Sequence, residues 1–340
     1  MVSPRGLEVL RVIVQDYVAT REPVGSKSVV DRHSFGVSAA TIRNDMALLE
    51  DEELIAAPHT SSGRIPTDKG YRVFVDQLTE MQPISVAQRQ AIRRFLDEAV
   101  DLDDTLIRTV RLLSQLTGQL AIVQYPSLAR SSVRRIEIIA LTEQTVMQVL
   151  ITDSGRVEQR IIDAGQRISA ETAAALGLAF NQALAGKTLG DCQEELERLR
   201  TNAPREISIV MNKIADQLSE QLQPERNERL ALAGTSNLVR TGEDFHGTIT
   251  PVLEAIEEQV TLLRLVGDLQ ADSLGLATSI GRENVGGLTE ASIIASSYGR
   301  NNRELARVGV LGPTRMDYPT NMAAVRVVAR YLTRLLSEDQ

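Results

Sequence analysis

Residues 38–76, SAATIRNDMALLEDEELIAAPHTSSGRIPTDKGYRVFVD, decide how the chain is read. Ser38 suits a helix N-cap, because its hydroxyl can accept a hydrogen bond from one of the first unpaired backbone N–H groups. Ile42, Met46 and Leu49 follow at helical spacing and mark a buried stripe. The opposite stripe carries Thr41, Arg43, Asn44 and Ala47, side chains that are short or can donate hydrogen bonds. Leu54, Ile55 and Ala56 read as a strand, and His59-Thr60-Ser61-Ser62-Gly63-Arg64 has the glycine and hydroxyls of a hairpin tip. Ile65 returns as a second strand, with Pro66 tolerable only at an edge. Thr67 then caps a helix whose apolar residues are Tyr71, Phe74, Val75 and Leu78.

Upstream, Ser3-Pro4 reads as an N-cap followed by proline at the first helical position. Leu7, Leu10, Val14 and Val18 line one face of a helix running to about Thr20. Pro23 and Gly25 break the chain, and Ser26 is expected to cap a short helix carrying Val29 and Val30. Two short helices joined by the glycine-containing turn His33–Val37 form a helix-turn-helix. With the hairpin behind it, the whole reads as a winged helix-turn-helix, a device for reading DNA. In such units the N-terminal residues of the second helix meet base edges in the major groove. Ser38, Thr41, Arg43 and Asn44 are therefore the candidate base contacts, with Arg43 suited to guanine and Asn44 to adenine. Arg64 at the wing tip is expected over phosphate or in the minor groove. Lys27, Lys69 and Arg72 are expected to share that basic face, and His59 beside the wing is either a phosphate contact or a plain turn residue. The bland alternative is a small helical domain with solvated Arg and Asn side chains.

Beyond residue 80, Met81–Ser85 reads as a linker, and Ile92, Phe95, Leu96 and Ala99 form one helical stripe. Leu106, Val110, Leu113 and Leu116 form the next. Strand-like runs follow at Leu120–Gln124, Val133–Ala140, Thr145–Ile151 and Val157–Ile162, the last two joined by the turn Asp153-Ser154-Gly155. Three more occur at Leu274–Ile280, Ala291–Ser297 and Arg307–Leu311, before a final helix through Met322, Val325, Val328 and Leu332. The intervening stretch is mostly helical, with stripes at Ala173–Leu184, Ile207–Leu222 and Val252–Leu263 and a short strand at Arg229–Ala233. The expected architecture is an α+β multidomain chain. Residues 1–80 are the DNA-binding unit and 81–88 a linker. Residues 89–164 with 267–340 form a discontinuous sheet domain, and 165–266 a mainly helical insertion.

Composition narrows the function. The chain has 340 residues, 43% hydrophobic and 24% charged, as in ordinary globular proteins. No apolar run approaches the ~18–20 residues that cross a bilayer, and no signal-peptide core is present, so a cytoplasmic protein is expected. The net charge of −8 excludes wholesale coating of nucleic acid, and even the first 82 residues carry more acid than base. Phosphate contacts need basic side chains on one face and no basic total, and the acids Glu50–Glu53 cluster where they can point away from DNA. Aromatic residues make up only 3% and Trp is absent, so the cores rest on aliphatic side chains and only modest stability is expected.

Chemistry-bearing motifs fail on inspection. Gly186-Lys187-Thr188 lacks both the glycine five residues upstream, where Asn181 stands, and a preceding strand, so it is no phosphate-binding loop. The glycine-rich Gly281–Gly287 lacks dinucleotide spacing. His33, His59 and His246 occur singly and assemble no metal site, and Cys192, the sole cysteine, has no activating base beside it. No catalytic residue, cofactor site or metal site is read, and an enzyme is not expected.

EPVGSKSV, SAATIRNDMALLE, PHTSSGRIPTDKGYR and, downstream, GPTRMDYP resemble the heat-inducible transcription repressor family HrcA over essentially the whole chain. Two positions depart from the family pattern: Arg21 and Glu53 stand where glycine is frequent, and local turn adjustments are expected there. The resemblance implies a GAF-like fold for the discontinuous sheet domain and a dimerisation role for the insertion, whose bland reading is an ordinary helical subdomain. It further implies a homodimer on the inverted-repeat operator, double-stranded DNA upstream of chaperone genes, kept active by the chaperonin GroE and relieved by heat. The competing reading is a winged-helix regulator controlled by a small metabolite in the sheet domain. An enzyme with a DNA-binding appendage has only fold-level analogy behind it.

Overall fold

The computed structural model describes residues 2–59, 62–78, 85–97, 99–126, 132–153, 155, 157–222, 229–245, 249–272, 275–284, 287–300 and 303–338. His246, Leu274, Ser154 and the linker residues Met81–Ile84 lie outside them.

The N-terminal unit begins with α1 (Pro4–Thr20), capped by the Ser3 hydroxyl, which accepts from the Gly6 N–H at 3.0 Å. Then come α2 (Ser26–Arg32) and α3 (Ala39–Asp51). Ser26 is the first residue of α2 and not its cap; Gly25 holds that position with no side chain to accept. A two-stranded antiparallel ribbon follows, β1 (Ile55–Ala56) and β2 (Ile65–Pro66), and then α4 (Asp68–Asp76). Val9, Leu10 and Ile13 of α1 meet Ile42, Met46 and Leu49 of α3 in the core, with Tyr71 and Phe74 of α4 closing it.

Two helices, α5 (Val86–Asp97) and α6 (Leu102–Thr117), lead to a five-stranded antiparallel sheet. Its strands are β3 (Leu120–Gln124), β7 (Leu230–Ala233), β8 (Leu276–Ile280), β9 (Ala291–Arg300) and β10 (Arg303–Pro313), in the order β7-β3-β10-β9-β8. Period-two alternation sends Ala121, Val123, Ile294, Val308 and Val310 to one face, where they join α6, α13 (Tyr318–Glu338) and the N-terminal unit in one apolar cluster. Leu120, Ile122, Ile293, Ala295 and Leu311 face the other way. There they pack on α10 (Thr235–Arg240), α11 (Thr250–Glu257) and α12 (Gln259–Asp268).

The strands β4 (Val133–Ala140), β5 (Thr145–Thr152) and β6 (Val157–Asp163) form a separate three-stranded sheet. With α7 (Ala170–Leu184), α8 (Leu189–Thr201) and α9 (Ser208–Gln221) they enclose their own core around Leu150, Phe180, Cys192 and Ile214. This corrects the sequence reading, which put 133–163 in one sheet with the later strands and 230–266 with the helices of the insertion. Alternation shows that a strand is half-buried; it carries no information on which sheet completes it.

The N-terminal unit is joined to the larger sheet by buried polar contacts. Arg315, 9% exposed, donates to Asp244 Oδ1 at 2.6 and 3.1 Å and to the Val18 carbonyl at 3.0 Å. Its guanidinium also lies over the Tyr17 ring, 5.9 Å from the centroid. Arg21 adds a second pairing to Asp244 at 3.1 Å.

Two positions show what the backbone demands. Arg21 (φ 63°) and Glu53 (φ 60°) are the two described non-glycine residues with positive φ. Both hold, on residues with a Cβ, the left-handed conformation that glycine takes freely. Gly70 is the reverse case: a Cβ there would overlap the Leu54 carbonyl oxygen. Glu53→Gly is expected to raise the unfolding free energy by about 0.5 kcal/mol through relief of strain, set against the entropy of the added glycine. Gly70→Ala is expected to lower it by about 1–3 kcal/mol; urea unfolding followed by circular dichroism measures both.

Candidate nucleic-acid interface

Thr41, Arg43 and Asn44 lie on α3 behind its Ser38 cap. His59 and Arg64 lie on the segment between β1 and β2, and Lys27, Lys69 and Arg72 lie on α2 and α4. The Ser38 hydroxyl accepts from the Thr41 N–H at 3.2 Å and lies 3.1 Å from the Thr41 hydroxyl, so the two polar residues order the first turn together. Ile42, Met46 and Leu49 anchor one side of α3 in the core. Asp45, only 5% exposed, fixes the helix axially by accepting from Arg5 Nε at 2.8 Å and Nη2 at 3.1 Å. A buried carboxylate with two donors from one guanidinium is a directional tie.

The opposite face of α3 is open. Arg43 and Asn44 are exposed, and neither has a hydrogen-bond or ion-pair partner among the described residues. Ala47 and Leu48 continue that face, Leu48 being 59% exposed. The sequence reading passed over Leu48. The signal was present, since it lies one turn beyond Asn44 and outside the Ile42–Met46–Leu49 stripe. Lys27 on α2 is exposed in the same unit and has no partner among the described residues. Between α3 and the ribbon runs a groove of about 300 Å³ lined by Ser26, Arg43, Ala47, Ser62 and Arg64.

The remaining candidates are placed differently from expectation. Between β1 and β2 the Ser62 hydroxyl donates to the His59 carbonyl at 2.8 Å and accepts from the His59 N–H at 3.0 Å. His59 is exposed. Thr60 and Ser61 lie outside the described residues. Arg64 is not at the tip but at the base, where its guanidinium meets Glu50 at 2.8 Å. Lys69 Nζ donates to the Glu52 carbonyl at 2.8 Å, close to Glu53.

Arg72 turns away from α3 altogether. It is half-buried against the larger sheet, donating to Glu283 and, at 2.8 Å, to the Thr278 carbonyl. The shared basic face expected of Lys27, Arg43, Arg64, Lys69 and Arg72 thus reduces to Lys27 and Arg43 as unpaired cations. Spacing located Arg43, Lys69 and Arg72 on their helices and misplaced Arg64. It was silent on the acids, Glu50 and Glu283, that engage two of them.

No cluster of His, Cys, Asp and Glu suited to a metal ion occurs among the described residues. His33 pairs with Asp16 at 3.0 Å and helps seat α2 on α1. No helix among the described residues is long and apolar enough to cross a membrane.

The chain is similar to known proteins over its whole length. Residues 103–322 match the family model described as the HrcA protein C-terminal domain. The chain is 60% identical to the heat-inducible transcription repressor HrcA of Clavibacter michiganensis subsp. michiganensis, over 99% of this chain and all of that protein. It is 59% identical to the protein of that name in Leifsonia xyli subsp. xyli, with the same coverage. The match to that of Streptomyces avermitilis is 52%, over the whole of both. A crystal structure titled only as a hypothetical protein at 2.2 Å resolution superposes along the full length of both chains with a TM-score of 0.63 at 23% identity, which speaks for the fold.

The one thiol is structural. Cys192 is fully buried in the core of the smaller sheet unit, and burial pushes its pKa up to about 11. A thiol raised above its ordinary value stays protonated as the pH climbs past 8, and the thiolate is the reactive form. The folded protein at pH 8 is accordingly expected to leave Cys192 unreacted with Ellman's reagent, with one equivalent released on adding urea. Mixing with the reagent, followed by absorbance at the thionitrobenzoate band, checks this.

Proposed function

The chain belongs to the HrcA family, and on that premise we propose that it represses transcription of heat-shock operons by reading inverted-repeat DNA as a cytoplasmic homodimer. The relatives named above are heat-inducible transcription repressors, which are regulators and not enzymes.

The observation that carries the reading is the contrast between the two faces of α3. One face is held by apolar packing and the Arg5–Asp45 pair; the other presents Arg43 and Asn44 exposed and unpaired. Three helices, a ribbon and a fourth helix, with the N-terminus of α3 pointing outward, match the arrangement of a winged helix-turn-helix. An exposed Arg and Asn on adjacent positions suit guanine and adenine edges in the major groove. Leu48 and Ala47 suit a thymine methyl group. Phosphate contact falls to Lys27, His59 and the open N-terminal turn of α3.

Two-fold pairing would double this readout, since an isologous dimer matches a palindromic site. The smaller sheet supports the pairing. Its outward side carries the cross-strand row Ile139–Met147–Ile161, with Ile139 43% and Ile161 72% exposed, and Val157 and Leu141 nearby. Contiguous exposed aliphatic side chains on a sheet face are the signature of an interface. The sheet unit 132–222 is thus the dimerisation insertion of this reading, and the five-stranded sheet its GAF-like partner.

Dependence on the chaperonin GroE is the regulatory half of the proposal. The family resemblance and the aromatic-poor composition support it. A loss of ~1–2 kcal/mol in a marginally stable fold changes the active fraction severalfold, so heat relieves repression by depleting folded repressor.

Gel shifts against the inverted repeat upstream of the chaperonin operon, with and without GroE, test the whole. Arg43→Ala and Asn44→Ala are each expected to weaken specific binding by ~1–3 kcal/mol while sedimentation still reports a dimer. Ile161→Glu is expected to do the converse: sedimentation shifts to monomer, and binding to the full inverted repeat falls to that of a single half-site. Full operator affinity in Arg43→Ala would exclude α3 as the reading helix.

A further inference from the structure

The ribbon is too short to hold itself. β1 and β2 pair through Ile55↔Pro66 and Ala56↔Ile65 alone, and Pro66 has no N–H to give. A hairpin of that length has no independent stability in water, so its angle to α3 is set by what it touches. Thr67 ties the base of the ribbon by donating its N–H to the Leu54 carbonyl at 3.1 Å and its hydroxyl to the Glu53 carbonyl at 2.6 Å. Arg64 ties it both to the segment before α2 and to the body of α3. The Arg64 backbone exchanges both hydrogen bonds with Val24, each 2.9 Å, adding the segment before α2 to the ribbon. Gly63 lies against the same segment, where a Cβ would come within 2.6 Å of the backbone of Pro23 and Val24. The Arg64 side chain reaches the other way: Nε and Nη2 meet Glu50 Oε2 of α3 at 2.9 and 2.8 Å, and Nη1 donates to the Ser62 carbonyl at 3.3 Å.

We infer that Arg64 is a positioning residue for sequence reading, a three-way tie that sets the ribbon's angle against α3, and not a phosphate contact. This rests on the proposal that α3 reads DNA. Both nitrogens facing Glu50 converge on one carboxylate oxygen, and the side chain is only 27% exposed. The guanidinium is consumed within the protein. Glu50, an acid at the inner end of the reading helix, thereby gains a role that its charge alone would argue against, since an uncompensated carboxylate near DNA repels phosphate.

The two roles predict opposite signs for the acid. If Arg64 touched phosphate, Glu50→Gln would free it and remove a repulsive charge, so DNA binding would tighten. As a tie, Glu50→Gln loosens the ribbon and lowers discrimination. The probe is a duplex selected from a random pool by the wild-type protein, compared with a scrambled duplex of the same length, over a series of salt concentrations. Thermal melting of each variant confirms folding.

Arg64→Ala and Glu50→Gln are each expected to reduce the specific-to-scrambled affinity ratio by roughly five- to tenfold. Binding to the scrambled duplex and the salt slope stay at wild-type values, and the double variant is no worse than either single one. The charge-reversed pair Arg64→Glu with Glu50→Arg is expected to recover part of the ratio. Tighter binding by Glu50→Gln, or a salt slope reduced by about one in Arg64→Ala with both duplexes weakened alike, overturns the inference and restores a phosphate contact. A wild-type protein that enriches no duplex at all overturns the DNA-reading proposal itself, a result distinct from either.

Discussion

A buried guanidinium holds the N-terminal helices to the rest of the molecule. Arg315 caps the end of α1 by donating to the carbonyls of Tyr17 and Val18, neutralises Asp244, and covers the Tyr17 ring. A helix C-terminus carries partial negative charge, so the same cation serves the backbone dipole and the carboxylate together. Arginine suits the position because its planar fork supplies several donors at once; lysine could not bond all of these acceptors. Apolar packing alone would let the two parts slide, since the cluster shared by α1, α4, α13 and the sheet is non-directional. The polar contacts supply direction. Arg72 with Glu283, and the Asp68 carboxylate accepting from the Arg282 N–H at 3.0 Å, repeat the device at the α4 end.

The elements that present α3 were legible because they depend on near neighbours in the chain. A serine three residues ahead of Thr41 and an apolar step of three and four residues suffice to define the helix and its open face. The Thr67 cap, which accepts from the Gly70 N–H at 3.1 Å, was legible for the same reason. What escaped were contacts set by distant chain. Arg72 meets an acid 211 residues away, and nothing local distinguishes it from a cation awaiting phosphate. Arg64 escaped at short range, because Glu50 lies on the far side of a turn whose path was unknown until β1 and β2 were placed. The grouping of strands failed for a third reason. Both sheets are antiparallel, and although β3 and β9 are buried on both faces while β5 alternates, a single strand does not name the distant strand it pairs with.

Charge follows a similar logic. An acidic chain can read DNA when its acids are spent internally. Asp45, Asp16, Glu50 and Asp244 each accept from an arginine or histidine within or next to the N-terminal unit. The net balance of the unit is then a poor guide to the field on its outer face, where Lys27 and Arg43 stand without counter-ions among the described residues. Asp45, Asp16 and Asp244 are largely buried, so each pair supplies the partner that a buried carboxylate needs as well as fixing geometry.

The smaller sheet unit leaves the larger sheet at the end of β3 and returns at the start of β7, and these strands are partners, with Gln124 opposite Leu230. Topologically β3 and β7 are the arms of one hairpin, and the whole intervening unit is its loop. Closing so long a loop is opposed only logarithmically by chain entropy, and a unit that folds first with its own termini adjacent removes most of that cost. Synthesis order then favours an insertion that matures before the sheet it interrupts. The hairpin position is also a seam at which such a module can be gained, exchanged or excised without re-threading the host sheet.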